Sequence, residues 1–295
     1  MSTASKKVTT NLSATPIEKK KRKYYLIPTY MAVVFYILFL GFPFIWMLST
    51  SFKSPYELLQ LKHSIIPDGL YWQNYTDIIE KRGLINSAKN SLVIALLTAG
   101  LTTLFTVPAA YAIARLRKIF SGIATGWILI SQVFPVSLVI IPLFMAVRRL
   151  GLLDSIWGLV LVYLVASLPF SLWMLKGYVT SIPVDLEEAG AMDGASSFQI
   201  LRRIVFPLLV PGIVATALFT FLNSWNEFFF ALVLIQNPDN ETLPLTLARF
   251  MGSEGQVLLG PLAAGAFLAT IPSLVIFGVM QRKLASGLLA GAVKG

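Results

Sequence analysis

The chain is predicted to be an all-α, polytopic membrane protein with about six spanning helices, and three observations predict it. Of its 295 residues, 56% are hydrophobic and only 13% are charged, with a mean hydropathy of +0.73; a soluble domain carries about 25% charged residues. The apolar residues are grouped into runs close to the ~20 residues that cross a bilayer. The lysines and arginines are shared unequally between the two sides that those runs define. The absence of cysteine excludes disulfides and thiolate metal sites. The single histidine, His63, falls in a polar stretch and reads as solvated.

Taken in order, residues 1–24 read as a disordered basic tail ending in Lys19-Lys20-Lys21-Arg22-Lys23. The apolar run that follows is too long for a signal-peptide core and lacks a small-residue cleavage site, so it reads as a retained anchor. A membrane domain spans residues 25–283, with spans at ~25–48, ~90–114, ~122–147, ~156–177, ~206–234 and ~261–281. Pro108, Pro135, Pro142, Pro169, Pro211 and Pro272 lie within them and mark expected bends. With both termini cytoplasmic, sixteen of the 24 basic residues lie inside and eight outside, as the positive-inside rule requires. The net charge of +10 is then explained by anionic lipid headgroups, without nucleic acid.

The same topology makes residues 181–205 a cytoplasmic loop. Pro183 suits a helix start, and Asp185, Glu187 and Glu188 place negative charge in a first turn. Asp193-Gly194 reads as a break, and Ser196-Ser197-Phe198-Gln199 as the capping box of a second short helix, which carries Arg202 and Arg203 and ends near Pro207. Two short helices with a glycine turn at a membrane surface would let another protein approach closely.

In the fifth span, Glu227 is the one carboxylate placed inside the membrane. A charge there costs at least ~2–3 kcal/mol, so it needs a partner or a watery path. Asn223, Asn226 and Glu227 are spaced to share one helical face, with Trp225 beside them. Two readings are open. The cluster lines a path for hydroxyl-bearing cargo, or it holds helices or subunits together. The polar stretch ~235–260 returns outside, where it is placed either to meet a solute-binding protein or simply to face solvent. Residues 284–295 form a glycine-rich cytoplasmic tail.

Several of these segments resemble one family. Glu188-Ala189-Gly190, then Gly194, Ile204 and Phe206-Pro207, is similar to the EAA loop of bacterial ABC importer permeases, departing from it at Gly190 and Phe206. Asn74-Tyr75, Asn86-Ser87 and Asn90-Ser91 resemble the family's segment after its first helix. Tyr111-Ala112-Ile113-Ala114-Arg115 resembles the close of its second helix, and Trp225-Asn226-Glu227-Phe228 a signature of its fifth. The ending Gly291-Ala292-Val293-Lys294-Gly295 resembles the tail of MalG-type carbohydrate permeases.

The resemblance implies a type I ABC importer permease in the bacterial inner membrane, moving a sugar such as maltose or trehalose. Glycerol 3-phosphate or a polyol is the alternative cargo. It implies a second, homologous permease subunit, two ATPase subunits and an extracytoplasmic sugar-binding protein. It also implies that Glu187, Glu188, Ala189, Gly190, Met192, Asp193, Gly194, Ala195 and Phe198 dock the ATPase, and that Gly287, Gly291, Lys294 and Gly295 approach it. The chain has no Gly-x-x-x-x-Gly-Lys-[Ser/Thr] loop, so ATP and magnesium are expected on the separate ATPase and no cofactor on this chain. A secondary transporter would need ion-coupling residues and usually an internal repeat, and the chain offers one intramembrane carboxylate and no clear repeat.

Overall fold

A computed structural model of the chain describes residues 16–60, 64–81, 83–251 and 258–292. It is helical throughout, with no strand among the described residues. The long helix α1 (Pro16–Ser51) is followed by two short ones, α2 (Pro55–Leu59) and α3 (Gln73–Thr76). Then come α4 (Leu84–Arg115), α5 (Lys118–Val133), α6 (Val136–Arg149) and α7 (Ile156–Thr180). The predicted loop holds α8 (Asp185–Met192) and α9 (Ser197–Ile200), and α10 (Phe206–Trp225) returns through the bundle. The chain closes with α11 (Phe229–Leu234), α12 (Leu243–Ala248) and α13 (Leu259–Ala292). Five of the described helical stretches are long and apolar enough to span a bilayer, or six when α5 and α6 count as one bent span.

The bundle is built on α4. It packs along α7 and α10, which also touch each other, while α13 lies against α10 and α1. The inward side of α4 is a column of small side chains, Ser87, Ser91, Ala95, Thr98, Thr102, Thr106 and Ala110, all buried. Small residues let helices approach closely where lipid offers no hydrophobic drive toward association. Around the second half of α4, near α8, lies a cluster of Val107, Ala110, Leu175, Val179, Ile182, Ile200, Val205 and Leu209. At the other end α4 is clamped to the segment before α12. Asn90 Nδ2 donates to the carbonyls of Asp239 and Glu241 at 2.8 and 3.0 Å. Asn86 Nδ2 also donates to Asp239, and the Leu243 amide donates to Ser91 Oγ at 2.7 Å. Asn74 Nδ2 likewise ties the carbonyls of Ser51 and Lys53, each at 2.9 Å. The Asn-Ser and Asn-Tyr dipeptides noted in the sequence are therefore staples of the end remote from α8.

The structure departs from the sequence expectations in five places. Helix α1 begins at Pro16, so Lys19–Lys23 belong to a helix and not to a disordered tail. Lys and Arg are good helix formers, and proline suits a first helical position. The third span is two helices meeting at 96°. Pro135 forces Phe134 into an extended conformation (φ −67°, ψ 124°), which ends α5. Pro108, Pro142, Pro169, Pro211 and Pro272 sit inside continuous helices.

The second loop helix does not stop at Pro207. A widened turn over Leu201–Val205, closed by the Phe206 amide on the Leu201 carbonyl, carries α9 into α10. Such a turn absorbs the hydrogen bond that proline cannot make. The fifth span breaks after Trp225, so Asn226 and Glu227 leave the face they were expected to share with Asn223. Finally, α13 continues to Ala292. Gly287 and Gly291 thus lie in the last helix, because the intervening Leu and Ala residues favour it. Lys294 and Gly295 lie outside the described residues.

Candidate functional site

Two regions carry the chemistry, the α8–α9 loop and an open cavity on the side of the bundle. Helix α8 ends in a glycine cap. The Ala195 amide donates to Gly190 and the Gly194 amide to Ala191, each at 3.0 Å, with Gly194 left-handed at φ +79°. The capping box of α9 is present as expected. The Gln199 amide donates to Ser196 Oγ, and the Ser196 amide to Gln199 Oε1 at 2.8 Å. Together these fix the angle between the two helices.

The expected docking residues divide into two groups. Glu188, Ala189, Met192, Asp193, Gly194 and Phe198 are exposed. Met192 is 88% and Phe198 68% accessible. Ala195 is half-buried. Glu187 and Gly190, also expected to dock the ATPase, are instead buried against the rest of the chain. Gly190 seats α8 on the widened turn, where an added Cβ would lie 2.6 Å from Ile204 Cδ1. Glu187 takes a hydrogen bond from Tyr111 Oη at 2.7 Å and forms an ion pair with Arg115, whose Nε donates at 2.8 Å. Sequence reasoning missed these partners, although Tyr111 and Arg115 stand four apart on one face of α4.

The cavity, about 550 Å³, lies where α5 turns into α6, against α7, α10 and α11. This is within the ~300–1,000 Å³ usual for small-molecule sites. Gln132, Ser137, Tyr163, Ser167, Asn223, Ser224 and Glu227 supply its polar groups, and no lysine or arginine lines it. Phe170 and Phe219 form an aromatic wall, with ring centroids 4.2 Å apart.

Of the expected cluster, Asn223 and Glu227 reach this cavity; Trp225 and Asn226 do not. Trp225 is buried, stacks on Phe221 and donates to the Ala269 carbonyl of α13 at 3.3 Å. Asn226 caps α10 through the Leu222 carbonyl at 2.8 Å. Glu227 accepts from Tyr163 Oη at 2.6 Å and from the Phe230 and Ala231 amides at 2.8 and 3.2 Å. Its carboxylate caps α11 and joins it to α7, while one side borders the cavity. Sequence reasoning missed Gln132, although it is the one amide in the third apolar run. No group of His, Asp or Glu able to hold a metal occurs among the described residues, and His63 lies outside them.

Membrane-length helices, an open and largely apolar pocket whose polar groups are hydroxyls, amides and one carboxylate, and a loop with exposed apolar side chains are the features of a multi-pass membrane permease. Residues 102–288 match the family described as binding-protein-dependent transport system inner membrane component. The chain belongs to that family, and within it to the permease subunits of carbohydrate ABC importers. It is 52% identical over 221 residues to a putative ABC transporter permease protein, ORF1, of Streptomyces antibioticus, covering 75% of this chain and 96% of that one. It is 34% identical to the diacetylchitobiose uptake system permease protein DasC of Streptomyces coelicolor, covering 88% of this chain and 94% of DasC. Its fold matches a bacterial ABC transporter involved in the import of the acidic polysaccharide alginate, with TM-score 0.73 and 24% identity, over 89% of this chain and 97% of that one.

Proposed function

We propose that this chain is one of two unlike permease subunits of an importer for a neutral di- or oligosaccharide, driven by a separate pair of ATPases. The observation that carries the reading is the cavity. Its hydroxyl and amide groups suit sugar hydroxyls, Phe170 and Phe219 offer a stacking wall, and its one carboxylate is occupied by Tyr163 and two backbone amides. An anionic cargo such as glycerol 3-phosphate would want a cation, and none lines the cavity. The uptake of diacetylchitobiose by the system that contains DasC supports an uncharged saccharide.

In this reading both termini and the α8–α9 loop are cytoplasmic. Met192 and Phe198 enter a cleft of the ATPase, with Glu188, Asp193 and Gly194 around them. The end of α13, with Gly287, Gly291, Lys294 and Gly295, approaches the same partner. ATP and magnesium belong to the ATPase, so the chain is a transport subunit and not an enzyme. Closure of the ATPases moves the loop. The loop is continuous with α7 and α10, two of the cavity's walls, so its motion alternates the opening of the cavity. The loaded binding protein meets the far end around the exposed Pro238 and Asp239. Coupling requires the loop to engage the ATPase differently in the two states.

The test is uptake by proteoliposomes holding the complete transporter, with radiolabelled trehalose, diacetylchitobiose and glycerol 3-phosphate offered in turn. ATP-dependent uptake of a neutral disaccharide, weakened by Asn223→Leu, supports the proposal. Uptake of glycerol 3-phosphate alone refutes the cargo class.

A further inference from the structure

The loop is joined to the bundle by the chain itself at two points. Residues 181–184 lead from α7 into α8, and the turn over Leu201–Val205 leads from α9 into α10. A body held at two points can pivot about the line between them. A further attachment limits that pivot, and the bundle has a polar one from α4 beside the first connection. At the last turn of α4, Arg115 pairs with Glu187 of α8 through two guanidinium nitrogens. Arg115 also donates to the Ile182 carbonyl at 3.3 Å, and Tyr111 holds the second Glu187 oxygen at 2.7 Å.

Both helix ends favour this polarity, since Glu187 lies in the first turn of α8 and Arg115 in the last turn of α4. The side chains of Arg115 and Glu187 are only 19% and 11% accessible, so solvent screens the pair weakly. Val107 and Ala110 of α4 also share one buried cluster with Val179, Ile182, Ile200 and Val205.

We propose that Tyr111, Arg115 and Glu187 form a strut that makes α4 move with the loop. The loop's motion is thereby delivered to three helices as one body, and is not spent in a pivot about the two chain connections. The proposal rests on the transport reading above. It makes Glu187 a positioning residue within this chain, while its neighbour Glu188 remains on the outer face.

The strut predicts a specific failure. When it is cut, the ATPase still docks and turns over, because the outer face of the loop is intact, but fewer sugar molecules cross per ATP hydrolysed. In the complete transporter in proteoliposomes, Glu187→Gln and Arg115→Ala should each lower the ratio of disaccharide imported to ATP hydrolysed by about tenfold. The double variant should be no worse than Arg115→Ala alone, since both remove the same ion pair and the same Ile182 contact. Tyr111→Phe, which removes one hydroxyl, should give a smaller loss, and Arg115→Lys should restore only part of the ratio because lysine cannot grip a carboxylate with two nitrogens. A charge swap, Arg115→Glu with Glu187→Arg, should rescue poorly because it opposes both helix dipoles. A wild-type ratio in Glu187→Gln, in a preparation where wild-type uptake is ATP-driven, overturns the strut. Failure of Glu187→Gln and Tyr111→Phe alike to assemble also overturns it, leaving only a folding staple. Absence of ATP-driven uptake in the wild type itself would strike the transport reading instead.

Discussion

Replacing Glu227 by alanine removes the acceptor for three donors at once. The Phe230 and Ala231 amides lose the cap of α11, a loss of about 0.5–2 kcal/mol. The Tyr163 hydroxyl loses a hydrogen bond to a charged group, about 1.5–3 kcal/mol for a buried site. The simple sum is about 2–5 kcal/mol, and hydrogen bonds inside membrane proteins run weaker, about 0.6 kcal/mol on average. The low end, about 2 kcal/mol, is therefore the expected loss, equivalent to roughly 30-fold in the unfolding equilibrium. The assay is denaturant unfolding of the detergent-solubilised chain, followed by the fluorescence of its six tryptophans. Tyr163→Phe should lose about half as much, because both amides keep their acceptor. An alanine variant as stable as wild type would refute the capping role, and if it also lost uptake, Glu227 would belong to the cargo path alone.

Three further outcomes follow from the geometry. Gly194→Val places a β-branched residue at φ +79°, at a strain of about 1–2 kcal/mol, and should unseat the turn between α8 and α9; faster proteolysis of the loop would show it. Phe198→Asp or Met192→Asp leaves the fold intact, since both side chains are exposed, yet should abolish co-purification of the ATPase. Gly212→Leu drives a Cβ to within 2.5 Å of Tyr178 Cγ at the contact of α10 with α7, and overpacking of about 1–3 kcal/mol should appear as lost thermal stability.

Much of this was readable in the chain. Hydropathy located every long helix, because lipid demands uninterrupted apolar runs whatever the neighbours do. The glycine break at Gly194 and the capping box at Ser196 were legible because both are local devices, set by a few adjacent residues. What escaped depends on rotation and on distant partners. Glu187 and Glu188 look alike in sequence, and distant partners, Ile204 against Gly190 and Tyr111 and Arg115 against Glu187, accompany the carboxylate that turns inward. Glu187 and Gly190 are three apart and so share a face, a clue that a small residue in a helical run can mark its buried side. The break after Trp225 was hidden because Phe228, Phe229 and Phe230 continue the apolar run. The carboxylate of Glu227 restarts a helix there, using backbone donors that hydropathy does not register.

The central claim is that this permease couples a saccharide-loaded binding protein to a separate ATPase. The most direct measurement is ATP hydrolysis by the complex purified with its native partners, titrated with the binding protein in its empty and sugar-loaded forms. The account predicts hydrolysis that rises with one loaded form and with no empty one. An intact complex whose hydrolysis is flat across every saccharide would contradict the proposed cargo. A chain that brings no ATPase with it would contradict the docking role of the α8–α9 loop.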